Sequence, residues 1–429
     1  METLKKLGIL PWVILAIILG IVCGMFFPEG LSRVFYTFND VFALFLNFCI
    51  PLIIVGLIVP AIGDLGRGAG YWLFLTAVIA YASTLFSGFL TLFVCNALYD
   101  KVLDPNAFAG LGASTGSAEA AQDTFSTTPG YLPTEVLQMP PVFSVMTALI
   151  LSFIMGIGLA LVPRGVLRRG FLEFKEIINA LISKIIIPLL PLHIFGIFLN
   201  LTASGAAFNV MRVLLIVVVI VLALEVVILL AQFIVAGVVD RKNPFRALWN
   251  MKDAYLTALG TSSSAATIPV TLRQTLKNGV REPIASFVVP LCATIHLSGS
   301  TSKITAFAMA IAFTQGMPIT TGQWIAFICM LGIIMIAAPG VPGGAIMASI
   351  GIITSMLGFN DAQVGLMIAT YIALDSFGTA TNVTGDGAIA MIMDRIAGKK
   401  IDEREKQESP IGQYEPFDPD AYLAEVKAQ

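Results

Sequence analysis

Charged residues are scarce in this chain, in which Asp, Glu, Lys and Arg make up 12% of the 429 residues. A soluble domain carries about 25% of such residues, so an ordinary soluble globular protein is excluded. Hydrophobic residues reach 57% and collect in long runs, without the alternating pattern of β-barrel strands. Because every backbone polar group inside a bilayer must be hydrogen-bonded within the protein, these runs are helices. The composition predicts an all-α polytopic membrane protein.

Cysteine is also scarce, and the five cysteines lie in or beside apolar runs without the spacing of a metal site or of a disulfide framework. We expect small buried hydrophobic side chains at these positions. They are Cys23, Cys49, Cys95, Cys292 and Cys329. A net charge of −2 gives no sign of a nucleic-acid partner.

The N-terminal run KKLGILPWVILAIILGIVCGMFF has the basic start of a signal peptide, but its apolar part is too long and no small-residue cleavage site follows. We interpret it as a retained first helix. With this end in the cytoplasm, positive charges collect at every second connection, as expected in a cell membrane. They are Arg67, Arg164, Arg168, Arg169, Arg241, Lys242, Arg246 and Lys252. Both termini are therefore predicted to be cytoplasmic.

The first half of the chain divides into clean apolar segments, each long enough to cross a bilayer. They lie near residues 8–27, 38–63, 70–99, 140–163, 174–203 and 210–238. The polar stretch 100–139 is rich in small residues and is predicted to be an extracellular loop. Residues 397–429 form a charged segment, predicted to be a cytoplasmic tail.

The second half is interrupted by polar and flexible residues. SSSAATIP divides residues 245–277 and APGVPGGA divides residues 321–358, leaving halves too short for a crossing. These segments are predicted to be re-entrant hairpins, each followed by a long apolar helix with a polar centre, at 283–315 and 360–396. Two hairpin–helix units of opposite topology are inverted repeats, which place a binding site between them in secondary transporters.

The last apolar helix carries a polar stripe. At 100° per residue, Asp375, Thr379, Asn382 and Asp386 point within about 60° of one another. A charge at the centre of a membrane helix costs at least ~2.5–3.5 kcal/mol, which favours a function for these carboxylates. The alternative is that they only pair with an internal cation such as Lys303.

The preceding helix has its own polar centre around Gly299, where the backbone is predicted to be unwound with free carbonyl groups. His296, Ser298, Ser300, Ser302 and Lys303 lie there.

The tips of the two predicted hairpins are also polar or flexible. At the first tip, the serines at 262–264 offer hydroxyl and N–H groups that suit an anion. The glycines of the second tip, at 340–344, allow the backbone to approach a ligand closely.

These motifs, TSSSAATIP at 261–269, GVPGG at 340–344 and NVTGD at 382–386, resemble those of the dicarboxylate/amino acid:cation symporters. The resemblance covers essentially the full chain. It implies eight transmembrane helices plus two re-entrant hairpins in a homotrimer. Residues 1–69 and 140–209 would form a scaffold, and residues 70–99 and 210–396 a transport domain that slides across the membrane as an elevator.

The resemblance also assigns substrate contacts. Asp375 would hold an amino group and Asn382 an α-carboxylate, enclosed by the two tips. The implied substrate-binding residues are Ser263, Ser264, Ser300, Val341, Gly343, Asp375, Thr379 and Asn382. The arginine that the family uses for acidic side chains is replaced here by Gly378. Lys303 either takes its place as a point charge or pairs with Asp386.

The cation sites depart further from the family. The family's NMDGT is His296–Ser300 here, and Met335 and Ala338 replace hydroxyl ligands. The residues considered for a cation or proton site are Tyr81, Thr84, Thr294, His296, Ser298, Lys303, Asn382 and Asp386, of which Asn382 and Asp386 are the candidate sodium ligands. We expect sodium coupling to be reduced or replaced by H+, carried by His296 or Asp386, with Lys303 as a counter-charge. No cofactor other than the coupling ion, Na+ or H+, is expected.

The sequence thus predicts a secondary transporter for a small amino acid, with a dicarboxylate as the second candidate. The alternatives are a sodium-independent exchanger or uniporter of the same fold, and a channel-like anion conductance. An aspartyl protease would need Asp375 and Asp386 to share a proton, but eleven helical residues separate them by roughly 16 Å. A serine hydrolase using Ser263 and His296 lacks a GxSxG elbow.

Overall fold

The computed structural model describes residues 10–65, 70–105, 131–132, 139–161, 166–203, 207–338, 340 and 342–408. Within these ranges all regular secondary structure is helical. The α-helices are α1 Leu10–Gly24, α2 Glu29–Leu65, α3 Gly70–Val102, α4 Val145–Leu161, α5 Val166–Leu181, α6 Ile187–Ala203, α7 Ala207–Asp240, α8 Pro244–Asn250, α9 Lys252–Thr261, α10 Ser264–Lys277, α11 Glu282–Ile295, α12 Ser298–Thr314, α13 Thr321–Ala337, α14 Gly344–Leu357, α15 Asp361–Ala373 and α16 Asp375–Glu408. A π-helical turn, Ile182–Ile186, joins α5 to α6.

Several of these helices are long and apolar enough to cross a membrane. In the part of the chain that the structure describes they number five, at Glu29–Pro60, Trp72–Val102, Val166–Ala203, Val210–Asp240 and Glu282–Thr314. A sixth span results if α15 and α16, bent by 61°, are taken together. Shorter apolar helices are Pro11–Gly24, Thr147–Leu159, Thr321–Ala337 and Gly344–Leu357. The prediction of an all-helical chain with several membrane-length helices is confirmed.

Several sequence predictions fall outside the described residues. Most of the polar stretch 100–139 does so, as do residues 409–429 of the tail and residues 1–9. Arg67 and Arg164, used in the argument for orientation, also lie there. The cysteines are all free, and Cys49, Cys95 and Cys292 are buried, as expected for small hydrophobic side chains.

The two interrupted segments form helix pairs. In the first, α9 ends where Ser262 adopts a left-handed conformation with φ 50°, and Ser263 begins α10 by accepting a hydrogen bond from the backbone N–H of Ala266. In the second, α13 ends at Ala337 and α14 begins after Gly343, whose φ is 72°. The members of each pair pack against each other. The backbone therefore turns at the two polar motifs, as the sequence predicts.

Of two sequence predictions about helix continuity, one is correct in kind and one is wrong. The predicted break in the polar centre of segment 283–315 is present, but it lies at His296 and Leu297, and Gly299 is inside the first turn of α12. Segment 360–396 is not one helix, since it bends by 61° at Leu374. Both breaks leave a helix N-terminus, of α12 and of α16, inside the protein, where its free N–H groups need partners.

Candidate functional site

Helices α12 and α16 pack against each other in opposite directions and bring their polar residues together. The side chains are removed from solvent: the exposed fractions are 0% for His296 and Lys303, 1% for Asn382 and Asp386, and 5% for Asp375. Thr379, on the same face of α16, is 5% exposed. The predicted stripe therefore faces protein.

Asn382 satisfies the N-terminus of α12. Its Oδ1 accepts hydrogen bonds from the backbone N–H groups of Gly299 at 2.8 Å and Ser300 at 3.4 Å, and its Nδ2 donates to Ser300 Oγ at 3.1 Å. Tyr371 also donates to Ser300 Oγ, at 2.9 Å. The two helices touch at glycines, because a Cβ at Gly299 would lie 2.6 Å from the carbonyl oxygen of Gly378. The close crossing therefore depends on glycine.

Asp375 joins the start of α16 to the tip of the second helix pair. Its Oδ2 accepts a hydrogen bond from the backbone N–H of Gly343 at 2.7 Å, and its Oδ1 lies 3.5 Å from Lys303 Nζ. Lys303 also donates to the carbonyl oxygen of Leu374 at 3.0 Å and lies 4.0 Å from the ring centroid of Tyr371. Lys303 thus pairs with Asp375, so the alternative pairing with Asp386 is wrong. A Cβ at Gly378 would lie 2.5 Å from Lys303 Nζ, so the lysine occupies space beside this glycine.

Asp386 pairs with His296 instead. The distance from His296 Nδ1 to Asp386 Oδ1 is 2.9 Å, and His296 Nε2 lies 3.1 Å from Ser83 Oγ. Gln232 of α7 donates to Ser83 Oγ at 3.0 Å and to Ser298 Oγ at 3.1 Å. The carboxyl group against one ring nitrogen and the serine against the other fix the orientation of the imidazole. The His296–Asp386 pair is removed from solvent.

The two tips meet close to Asp375. Ser263 Oγ donates to the carbonyl oxygen of Gly340 at 3.0 Å, and Ser262 Oγ lies 2.7 Å from Ser376 Oγ. Ser264 is 4% exposed. Val341, predicted to enclose the substrate, lies outside the described residues. The contacts between the tips close the polar region from one side.

The structure does not bring all the predicted cation-site residues together. Thr294 is exposed and donates to the carbonyl oxygen of Leu291, because it lies on the opposite face of α11 from the buried polar groups. Tyr81 donates to the carbonyl oxygen of Cys329 at 3.1 Å, toward α13. Thr84 is buried, and its hydroxyl has no hydrogen-bond partner among the described residues. The hydroxyl groups of Tyr81 and Thr294 thus bind backbone carbonyl groups.

The candidate sodium ligands are engaged elsewhere. The Oδ1 atom of Asn382 accepts backbone hydrogen bonds and that of Asp386 faces His296. The ranges described hold no group of three or more His, Cys, Asp or Glu side chains arranged for a metal ion.

Sequence analysis missed two polar residues of α7, Glu225 and Gln232. Glu225 is 2% exposed, and neither carboxylate oxygen has a hydrogen-bond partner in the described part of the chain. The signal was present, because Glu225 lies within the apolar segment 210–238 and an ionisable residue in a membrane helix indicates function.

The chain belongs to the sodium:dicarboxylate symporter family, which matches residues 9–396. It is 36% identical over 167 residues to excitatory amino acid transporter 3 of Mus musculus, an alignment covering 39% of this chain and 32% of that protein. It is 28% identical over 268 residues to excitatory amino acid transporter 2 of Mus musculus, covering 60% and 46%. It is 30% identical over 241 residues to excitatory amino acid transporter 1 of Rattus norvegicus, covering 54% and 44%. The chain thus spans between about a third and a half of the length of these curated relatives.

Family membership and the apolar helices together identify a multi-pass membrane protein. The resemblance stated from the motifs is confirmed. Because the family consists of symporters, the chain is a transporter and not an enzyme, and the aspartyl protease and serine hydrolase alternatives are wrong.

Proposed function

We propose that this chain is a secondary transporter that carries a small amino acid across the cell membrane. The observation that carries the proposal is Asp375, a buried carboxylate placed where the tip of the second helix pair, Lys303 and the start of α16 meet. A carboxylate in this position suits a substrate's ammonium group. The relatives described above are named as excitatory amino acid transporters, which supports the same substrate class.

The substrate's α-carboxylate would be held by Asn382 and the N-terminus of α10. Asn382 is buried at the crossing of α12 and α16, and Ser263 and Ser264 open a 14-residue helix whose first N–H groups favour an anion. Ser300, Gly343 and Thr379 complete the enclosure. A dicarboxylate is the second candidate, since Lys303 could serve as a point charge for its second carboxylate.

Transport would follow the elevator arrangement implied by the family resemblance. Residues 70–99 and 210–396 would move as a transport domain against a scaffold of residues 1–69 and 140–209, in a homotrimer with eight transmembrane helices and two re-entrant hairpins. The contact between Ser263 and Gly340 would close the substrate between the tips. Both termini would lie in the cytoplasm.

H+ is the main coupling ion in this proposal, and coupling to Na+ is reduced or lost. His296 and Asp386 form a buried hydrogen-bonded pair where the family has an asparagine and an aspartate in its sodium sites. One proton converts this pair from a neutral imidazole beside a carboxylate to an imidazolium–carboxylate pair. The proton thereby supplies the positive charge that a sodium ion would otherwise bring.

An exchanger or uniporter is the second candidate function, favoured by the permanent cation next to Asp375. Lys303 is fully buried and already compensates this carboxylate, so the substrate-free protein needs no external cation there. Substrate counterflow in proteoliposomes, measured without any ion gradient, separates this function from obligatory symport.

A thermal-shift screen of the purified chain tests the substrate assignment, because a ligand that binds the folded state raises the unfolding temperature. Each amino acid is paired with its analogue lacking the amino group, such as L-aspartate with succinate and L-alanine with propionate. We expect stabilisation by at least one amino acid and none by its des-amino analogue. Equal stabilisation by both members of every pair would exclude an amine site at Asp375.

A further inference from the structure

Glu225 is a buried carboxyl group in the middle of α7. It is 2% exposed, and both of its carboxylate oxygens lack a hydrogen bond within the described ranges. Helix α7 packs against both α12 and α16, and its Gln232 donates to Ser298 Oγ of α12. Glu225 lies seven residues before Gln232, two turns along the same face of α7, and therefore on the side that meets the polar crossing. A buried charge without a partner strongly destabilises the folded protein. The ionised Glu225 side chain therefore needs a nearby cation, or else the carboxyl group must be protonated.

Groups on three helices interact electrostatically with Glu225. They are Lys303 of α12, Asp375 and the Thr381 hydroxyl of α16, and Tyr255 of α9. The Thr381 hydroxyl is buried and also lacks a partner in the described part of the chain. Of these neighbours, only Lys303 is a cation.

Lys303 currently occupies the place that a substrate amine needs. Its Nζ lies 3.5 Å from Asp375 Oδ1 and donates to the carbonyl oxygen of Leu374. Two ammonium groups on one buried carboxylate repel each other strongly at low dielectric constant. A substrate amine can therefore bind Asp375 fully only when the lysine leaves it. The lysine stem is flexible and carries a compact charge.

We propose that Glu225 is a second binding position for the Lys303 ammonium group, which moves there from Asp375 when a substrate amine binds. The inference rests on the proposed function and deepens it. Before the substrate binds, Lys303 is the cation near both Asp375 and Glu225. After binding, Asp375 pairs with the substrate ammonium group and Glu225 pairs with Lys303. This arrangement selects substrates that carry an amino group, because a dicarboxylate without one brings no cation to release the lysine.

Four forms of the full-length protein in nanodiscs test the proposal: wild type, Glu225→Gln, Lys303→Met and the double variant. The probes are L-alanine, L-serine, L-aspartate and succinate, with affinity measured by thermal shift and by equilibrium binding. We expect Glu225→Gln to weaken amino acid binding roughly 10- to 100-fold, within the usual range of coupling between two sites. Adding Lys303→Met should restore the affinity to within about threefold of Lys303→Met alone, because Glu225 acts only through the lysine.

A merely structural role for Glu225 gives a different result, since its loss would weaken binding equally with and without Lys303. Wild-type affinity in Glu225→Gln would also overturn the proposal. If Glu225→Gln does not fold, the comparison of Lys303→Met with the double variant carries the test alone, and a difference of more than about fivefold between them contradicts the proposal. Glu173→Gln, an exposed carboxyl group on α5, is the control and should bind as wild type.

The same binding measurements, with Asp375→Asn added as a fifth form, separate this inference from the proposed function. If the wild type binds none of the amino acids, the substrate assignment itself fails. If the wild type binds one of them and Asp375→Asn abolishes that binding while Glu225→Gln leaves it unchanged, only the movement of Lys303 is refuted. Loss of amino acid binding in Lys303→Met would place the lysine in the substrate site and would equally refute the movement.

Discussion

The two carboxylates of α16 lie on one helix face in one buried region, yet their partners differ. Asp375 faces a lysine and the backbone of a glycine-rich tip, whereas Asp386 faces a histidine held by a serine and a glutamine. The first position adjoins the turns of the two helix pairs, and the second lies among packed helices. The same residue type therefore has two different environments, and the proposed function gives each its own task, a substrate amine at Asp375 and a proton at the Asp386 end.

Replacing Asp375 should have the largest effect. In Asp375→Asn Lys303 loses the carboxylate with which it pairs in this structure. Removing one member of a buried ion pair costs about 3–5 kcal/mol, reduced by whatever Glu225 recovers by accepting the lysine. A substrate amine loses its acceptor as well, so we expect amino acid binding to fall more than about 100-fold. Thermal unfolding and equilibrium binding measure the two effects.

The control for this change is Asp253→Asn, because Asp253 is 47% exposed and lies 3.8 Å from Lys277. It should change neither stability nor binding. Retention of amino acid affinity in Asp375→Asn would remove the distinction between the two ends of the stripe.

Replacing His296 should affect only the Asp386 end of the polar stripe on α16. In His296→Gln the side chain keeps hydrogen-bonding groups but does not titrate, so we expect uptake driven by a pH gradient to fall about tenfold or more. Substrate counterflow, which needs no ion gradient, should persist. Both are measured in proteoliposomes.

Ser83→Ala is the matched control for His296, because it removes the hydrogen bond at Nε2 and leaves the pairing of Nδ1 with Asp386. Its effect on proton-driven uptake should be smaller. If His296→Gln responds to a pH step as the wild type does, the proton site lies elsewhere.

Asn382 lies between the two ends, and its loss should disturb both. Asn382→Ala leaves the N–H groups of Gly299 and Ser300 without their acceptor, and an unsatisfied buried group costs about 1–3 kcal/mol. We expect a lower free energy of unfolding and weaker substrate binding together. Thr384→Val is the control, since the Thr384 hydroxyl has no partner among the described residues. Equal effects of the two substitutions would contradict the assigned role of Asn382.

The smallest expected effect is at the contact between the tips. Ser263→Ala removes an N-cap, worth about 1 kcal/mol, together with the hydrogen bond to Gly340. Amide hydrogen exchange at the start of α10 should accelerate, while the His296–Asp386 end is unaffected. Thr257→Ala, which loses only a bond to Asp253 within α9, should leave exchange at the tip unchanged. Unaltered exchange in Ser263→Ala would show that the tips close by other contacts.

Periodicity was enough to predict the polar stripe, because the angle between residues of a helix is fixed. The turns at Ser262–Ser263 and near Gly343 were also predictable, since serine and glycine mark helix ends. The bend at Leu374 was not, because it contains neither proline nor glycine and depends on how α15 and α16 pack.

The partners of the carboxylates could not be read from the sequence. His296 meets Asp386 and Lys303 meets Asp375 because α12 runs opposite to α16 and the two touch at Gly299 and Gly378. Both the direction and the register of this contact are set by three-dimensional packing. Glu225 is a different case: its position in an apolar segment was visible, but its neighbours on α12 and α16 were not.

Uptake of a radiolabelled amino acid into proteoliposomes, with an inward proton gradient and no sodium, distinguishes proton coupling from sodium coupling. The amino acid is the one that most stabilises the protein in the thermal-shift screen. We expect accumulation above equilibrium that collapses when a protonophore is added. Accumulation that requires a sodium gradient and is indifferent to the pH step would contradict proton coupling.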